Sequence, residues 1–286
     1  MANPSTALEA DWLGASRRAT QALGTLLADR PTTEERAEET GDRGEGGDQT
    51  LVIDARAEDA VFEQLDALHA QGFRFCALSE ERGIVDYGSE DVRVIIDPID
   101  GSLNAKRGVP SHAISIAVAD GNTMADVAFG FVHDFGTGEE WRAARGAGAF
   151  LDDLRIDPSR SERRNRAGKL EVVGIESADP RWVAESIDAL LDVTHRLRAI
   201  GSIALTLCQV GGARFDAMAS LKRCRAVDAA AAQLIAREGG ALVAFPGGEG
   251  GDLGAPLDAV PRFPVIAARS TAALDEMRNV PSVYGP

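Results

Sequence analysis

A chain of 286 residues, 44% of them hydrophobic, is long enough for one large or two moderate domains around a sizeable core. Its formal net charge of −15 speaks against nucleic acid as a partner, because a phosphate-backbone binder needs a basic stripe to release counterions. No apolar run approaches the roughly 20 residues that span a bilayer, and Met1-Ala2-Asn3-Pro4 lacks a basic region followed by an apolar one, so no membrane association and a cytoplasmic location are expected.

Over residues 5–29, Leu8, Trp12, Ala19, Leu23, Leu26 and Leu27 recur at helical spacing behind Ser5 or Thr6 as a cap, which predicts an amphipathic helix packed on a sheet. Residues 31–47 crowd Glu34, Glu35, Glu38, Glu39, Asp42 and Glu45 among glycines and predict an exposed, mobile, solvated loop. Asp54 then opens a second helix whose face is Ala57, Val61, Leu65 and Leu68. The alternation Phe73, Phe75, Ala77 predicts a strand that delivers Ser79-Glu80-Glu81 at its end, before a turn at Gly83. Cys76 is the first of three cysteines; with Cys208 and Cys224 it forms an odd, widely spaced set that reads as buried free thiols, not as a disulfide framework or zinc site.

The stretch Val94-Ile95-Ile96-Asp97-Pro98-Ile99-Asp100-Gly101-Ser102-Leu103-Asn104 carries the densest signal. Three β-branched residues predict a buried strand, and Pro98, which has no ladder N–H to donate, predicts a break just after Asp97. Gly101 lets the backbone turn closely, and Ser102 is a helix-capping type at a start that leaves N–H groups pointing outward. Two carboxylates facing such donors suit a phosphate ester bridged by Mg²⁺. Asp-Pro and Asp-Gly are also ordinary turn pairs.

Farther on, residues 113–119 and 125–132 predict strands joined at Asp120-Gly121-Asn122, with another antiparallel strand over 140–144. Residues 151–168, rich in arginine and poor in apolar side chains, hold the expected boundary between an N-terminal α+β subdomain, 1–155, and a C-terminal α/β subdomain, 156–286. In the second part, strands at 170–174, 197–199, 241–244 and 265–268 alternate with helices over 180–192, from Ser202, and over 228–238. The basic residues include only three lysines, Lys106, Lys169 and Lys222, a skew that fits either a high-GC or a salt-adapted proteome.

The string from Asp97 to Asn104 resembles the Asp-Pro-(aliphatic)-Asp-Gly-(Ser/Thr)-x-Asn signature of the inositol monophosphatase family, lithium-sensitive sugar phosphatases that include the archaeal-type fructose-1,6-bisphosphatases. The resemblance implies a layered α/β/α/β/α sandwich of mixed α+β and α/β character, a homodimer, and a small-molecule phosphate ester as substrate. Glu80 resembles the first Glu of the family's Gly-Glu-Glu, and Asp228 the late Asp that begins a helix. Carried over residue by residue, the family pattern gives one Mg²⁺ to Glu80, Asp97 and the carbonyl of Ile99, and another to Asp97, Asp100 and Asp228. A third, weaker ion would lean on Glu80 and waters. Asp54 would pair with Ser102 to activate a water, and the N–H groups of Gly101 and Ser102 would hold phosphate. Such ions would neutralise ester charge, supply the nucleophile and stabilise the leaving alkoxide. Each acid also has a structural reading: Asp54 as a helix cap, Glu80 as a solvated strand end, Asp228 as a first-turn acid favoured by the helix dipole. His112 and His133 match no metal spacing and read as core or surface histidines.

On the substrate side, Gly201-Ser202-Ile203 resembles the family's Gly-(Ser/Thr)-Ala segment, with Ile203 in place of a small residue. Val227 and Leu221 stand where members specific for inositol phosphate carry an aromatic and an acidic residue. Lys222-Arg223-Cys224-Arg225 is closer to the archaeal-type members that hydrolyse inositol monophosphate and fructose-1,6-bisphosphate, and Lys222 and Arg225 read either as cations that meet a distal phosphate or as surface cations that balance acidic neighbours. The rival activities are a phosphatase of 3′-phosphoadenosine phosphate and a non-catalytic metal-dependent binding protein. The presence of Asp54, Ser102 and all four acids argues against the latter.

Overall fold

The computed structural model describes residues 7–43 and 49–280, and only the backbone course of 39–43 and 49–51. In chain order the first part comprises α1 (Trp12–Ala28), α2 (Thr33–Arg36), β1 (Glu39–Arg43), β2 (Gln49–Leu51), α3 (Val52–Ala70), β3 (Cys76–Ser79), β4 (Gly83–Asp86), β5 (Arg93–Asp100), α4 (Ser102–Arg107), β6 (Ala113–Ala119), β7 (Val127–Asp134), β8 (Glu140–Ala144), β9 (Gly148–Leu151) and β10 (Leu154–Arg155). The second part follows with β11 (Leu170–Glu176), α5 (Pro180–Glu185), α6 (Ile187–Val193), β12 (Thr194–Arg198), α7 (Ile203–Gly211), β13 (Ala217–Ser220), α8 (Ala226–Glu238), β14 (Leu242–Ala244), β15 (Ile266–Ala268) and α9 (Thr271–Met277).

Eight strands form one sheet in the order β10-β9-β8-β7-β6-β5-β3-β4, antiparallel except where β3 lies parallel to β5. Five form a second, β12-β11-β13-β15-β14, with β11 parallel to both its neighbours. The period-two alternation of β5 and β6 sends Val94, Ile96, Ile116 and Val118 to one face, against Leu23, Ile53, Val61 and Phe62 of α1 and α3. Ile95 and Ala117 point to the other face, where α7 and α8 fill the space between the sheets. Met218 and Ala267 reach that layer from the second sheet, while Ala217, Ala219, Ile266 and Ala268 pack outward on α6 and α9. The result is the expected α/β/α/β/α sandwich. The sheets change over between Arg155 and Leu170, but α7 and α8 belong to the core of both.

Local departures from the sequence reading have local causes. Helix α1 begins at Trp12 because the Asp11 side chain accepts the Gly14 N–H at 2.9 Å; the expected caps Ser5 and Thr6 lie outside the described residues. Within 31–47, Thr32 and Glu35 form a capping box that starts α2, and Arg36 ties it down by donating to the carbonyls of Leu27 at 3.1 Å and Ala105 at 3.0 Å. Part of the expected acidic loop is thus anchored; residues 44–48 lie outside the described ones. Asp54 sits in the first turn of α3, two residues inside its start. Strand β5 does not break after Asp97 but runs through Pro98, because three steps from Asp97 to Asp100 oppose two from Ser115 to Ala113, a bulge that asks no N–H of the proline.

The β6–β7 connection is longer than a tight turn and includes a 3₁₀ turn at Met124–Asp126 with its own capping box. The hairpin β9–β10, turning on Asp152 and Asp153 at positive φ, was not anticipated, nor were β13 and α9. The helix expected over 180–192 is two helices meeting at buried Ser186.

Candidate active site

The bulge in β5 has a chemical consequence: it brings Asp97 and Asp100 of one strand end toward the N-terminus of α8. Carboxylate oxygens of Asp97, Asp100 and Asp228 lie within 4.8 Å of one another, and all three residues are buried. Asp228 is the third residue of α8 and accepts the Arg225 N–H at 2.8 Å. Asp100 is held from the far side of the cleft. Its Oδ2 accepts the Ala204 N–H at 2.8 Å and the Ser202 hydroxyl, while Ser202 caps α7 by accepting the Leu205 N–H at 3.1 Å. Asp97 Oδ1 accepts the Ile99 N–H at 3.1 Å, whereas Asp97 Oδ2 is buried with no hydrogen-bond donor among the described residues.

Three buried carboxylates so close cannot all ionise cheaply. Burial first, and then Glu80, Asp100 and Asp228, raise the Asp97 carboxyl well above the usual range. Asp100 is pushed up to about 7, again by burial first and then by Asp228. A divalent cation cancels that repulsion, and a donor set made only of oxygens, one of them an orphaned buried oxygen, fits a hard ion.

Glu80 follows the end of β3 as half-buried, and is joined to the cluster through Arg225. The Arg225 guanidinium donates to Glu80 Oε1 through Nη1 and to Asp228 Oδ1 through Nε at 3.1 Å and Nη2 at 2.8 Å. Of the two readings of Arg225, these contacts are those of a cation balancing acidic neighbours. Lys222 has its Nζ 5.5 Å from the ring centroid of Trp182. Among the other expected site residues, Ile99 is buried in the core and Ser102 is exposed as the first residue of α4. Gly101 takes φ +88°, and a Cβ there would stand 2.9 Å from the Ser111 carbonyl oxygen and 3.0 Å from that of Gly201. Gly201, at φ +85°, has the Asn104 amide where a Cβ would be. Asn104 donates to the carbonyls of Ser111 and Ile200, both at 2.8 Å, so the two glycine turns, with Ser202 and Ile203 following the second, are clasped together.

Sequence reasoning missed Glu176. At the buried end of β11 it accepts the N–H groups of Ile200 at 3.0 Å and Gly201 at 2.9 Å and the Thr206 hydroxyl at 2.6 Å, and burial pushes it up to about 7. Val-Val-Gly-Ile-Glu, a strand ending on an acid, is the same signal that marked Glu80. His112 contacts the Val109 carbonyl and stacks on Phe135, against which His133 packs edge-on; neither joins the cluster. The three cysteines are free and buried. Among the described residues no helix is long and apolar enough to cross a membrane.

Residues 9–278 match the model of the inositol monophosphatase family. The fructose-1,6-bisphosphatase/inositol-1-monophosphatase of Methanothermobacter thermautotrophicus is 32% identical over 268 residues, 90% of this chain and 91% of that one. The Nus factor SuhB of Pasteurella multocida is 31% identical over 206 residues, 70% of this chain and 73% of that one. Among solved structures, an inositol monophosphatase–fructose 1,6-bisphosphatase superposes with a TM-score of 0.79 at 25% identity, covering 94% of this chain and 99% of the other.

Proposed function

The chain belongs to the inositol monophosphatase family and is a phosphoric monoester hydrolase; from that premise we propose Mg²⁺-dependent hydrolysis of small sugar or polyol phosphates, with inositol-1-phosphate and fructose-1,6-bisphosphate as the substrates to try first. The observation that carries the metal requirement is Asp97 Oδ2, buried and without a donor among the described residues, inside a triad of carboxylates. A divalent cation relieves such a site above neutral pH, where a proton no longer does, without rebuilding it.

Asp97, Asp100 and Asp228 would hold the metal, with Glu80 and the Ile99 carbonyl completing a set of two or three ions. When bound, Mg²⁺ would neutralise the nonbridging charge of the ester and stabilise the leaving alkoxide. The chain's own groups supply the positioning. Ser202 and the Ala204 N–H fix Asp100 through its Oδ2. Asp54, in the first turn of α3, would take the proton of the attacking water through the Ser102 hydroxyl, and the N–H groups of Gly101 and Ser102 would hold the phosphate oxygens. Direct attack by water needs no covalent phosphoenzyme.

The test is phosphate release by metal-stripped protein, with and without added Mg²⁺, from inositol-1-phosphate, fructose-1,6-bisphosphate, glycerol phosphates and 3′-phosphoadenosine phosphate. Mg²⁺-dependent release from the sugar or polyol esters is expected. Release from the nucleotide alone would overturn the substrate class, and release indifferent to Mg²⁺ would overturn the metal requirement.

A further inference from the structure

We propose that Arg225 is a tethered cation that competes with the metal for Glu80 and Asp228 and so sets the metal affinity of the site. The inference rests on the metal-dependent reading above but concerns a residue to which that reading gives no role. Its guanidinium engages both acids through three nitrogens. Asp228 Oδ1 takes two of these N–H groups and Oδ2 takes the Arg225 backbone N–H, so the lone pairs on Oδ1 are committed. A metal ligated by that oxygen needs the same lone pairs, and a second positive charge on one carboxylate is repelled by the first. The planar fork of arginine suits the bridge; a point-charge ammonium cannot span both acids in the same way.

The side chain also has somewhere to go. Glu80 and Arg225 open on a cavity of about 450 Å³ whose walls include Ile84, Asp258 and Val260. A guanidinium displaced by the metal can enter it and find the Asp258 carboxylate on the wall. The backbone cap from Arg225 to Asp228 does not depend on the side chain, so α8 need not move. Apparent affinity falls by the fraction of molecules ready to bind, so a guanidinium in place nine-tenths of the time would weaken metal binding about tenfold.

The experiment is calorimetric titration of Mn²⁺ and Mg²⁺ into metal-stripped wild type, Arg225→Ala and Arg225→Lys, with circular dichroism to verify folding and melting curves without metal. Arg225→Ala should bind metal about tenfold more tightly than wild type and melt at a lower temperature without metal. Arg225→Lys should fall between the two, and carries the test should the alanine variant not fold. Binding by the alanine variant but not by wild type would support the proposal in its strongest form. Equal or weaker affinity in folded variants would overturn it while leaving the metal-dependent reading in place. Absence of binding in every protein would overturn both.

Discussion

Asp100→Asn separates the cost of the carboxylate cluster from its use. The side chain is buried and its Oδ2 accepts from Ser202 and from the Ala204 N–H, contacts that an asparagine oxygen can keep. In the folded protein without metal its carboxyl is raised from 3.8 to about 7, so the folded state holds the proton that the unfolded chain has already released. The sign follows: the stabilisation from that proton is complete below 3.8 and is lost as pH rises through about 7. At about 1.4 kcal/mol per pH unit, the loss at pH 8 is on the order of 4 kcal/mol at most, since the neighbouring acids share the relief. Asparagine carries no such charge. In EDTA at pH 8 the variant should therefore melt higher than wild type by up to roughly 7 °C, at about 1.7 °C per kcal/mol for a chain of this length. At pH 4 the two should nearly coincide. With saturating Mg²⁺ the order should reverse, because the metal stabilises only the protein that ligates it. Differential scanning fluorimetry over pH with EDTA or Mg²⁺ reads all three arms. A variant less stable than wild type in EDTA at pH 8 would refute the reasoning that these carboxylates repel one another.

Asp97→Asn and Asp228→Asn should each reduce Mg²⁺-dependent turnover to background while leaving the circular dichroism spectrum unchanged; near-wild-type kcat in either would remove that residue from the site. Gly101→Ala should destabilise the fold by at least about 1–2 kcal/mol, because the residue is left-handed and its Cβ would crowd two carbonyl oxygens, and should lower kcat as the β5–α4 turn shifts; an unchanged urea midpoint would contradict it. Glu176→Ala leaves two N–H groups and the Thr206 hydroxyl without their acceptor, and should cost more than about 2 kcal/mol by chemical denaturation. A neutral result there would mean that water replaces the carboxylate.

What the sequence made legible was chemistry that resides in one contiguous string or one strong period. The alternation through Ile95 and Ile96, the helical faces of α1 and α3, and the acids at strand ends all follow from side-chain spacing, and with the family likeness they led to the layered sandwich. Pro98 misled because a proline rule for straight strands does not foresee a bulge, and the bulge becomes visible only when β5 is laid against β6. Ala217–Ser220 carries no β-branched residue, so β13 is a strand by tertiary pairing between β11 and β15 and not by local preference. The direction of Arg225 was illegible for a similar reason. Two cations, Lys222 and Arg223, stand three and two residues before it, but its partner Glu80 is brought to it by the packing of α8 against the first sheet.

The central claim is that Asp97, Asp100 and Asp228 hold a metal on which phosphate ester hydrolysis depends. Titrating Mg²⁺ into metal-stripped wild type and Asp97→Asn while following phosphate release from fructose-1,6-bisphosphate and inositol-1-phosphate tests it most directly. The account predicts saturable activation of wild type on at least one ester and none for the variant. Activity in wild type without metal, or equal activation of Asp97→Asn, would contradict it.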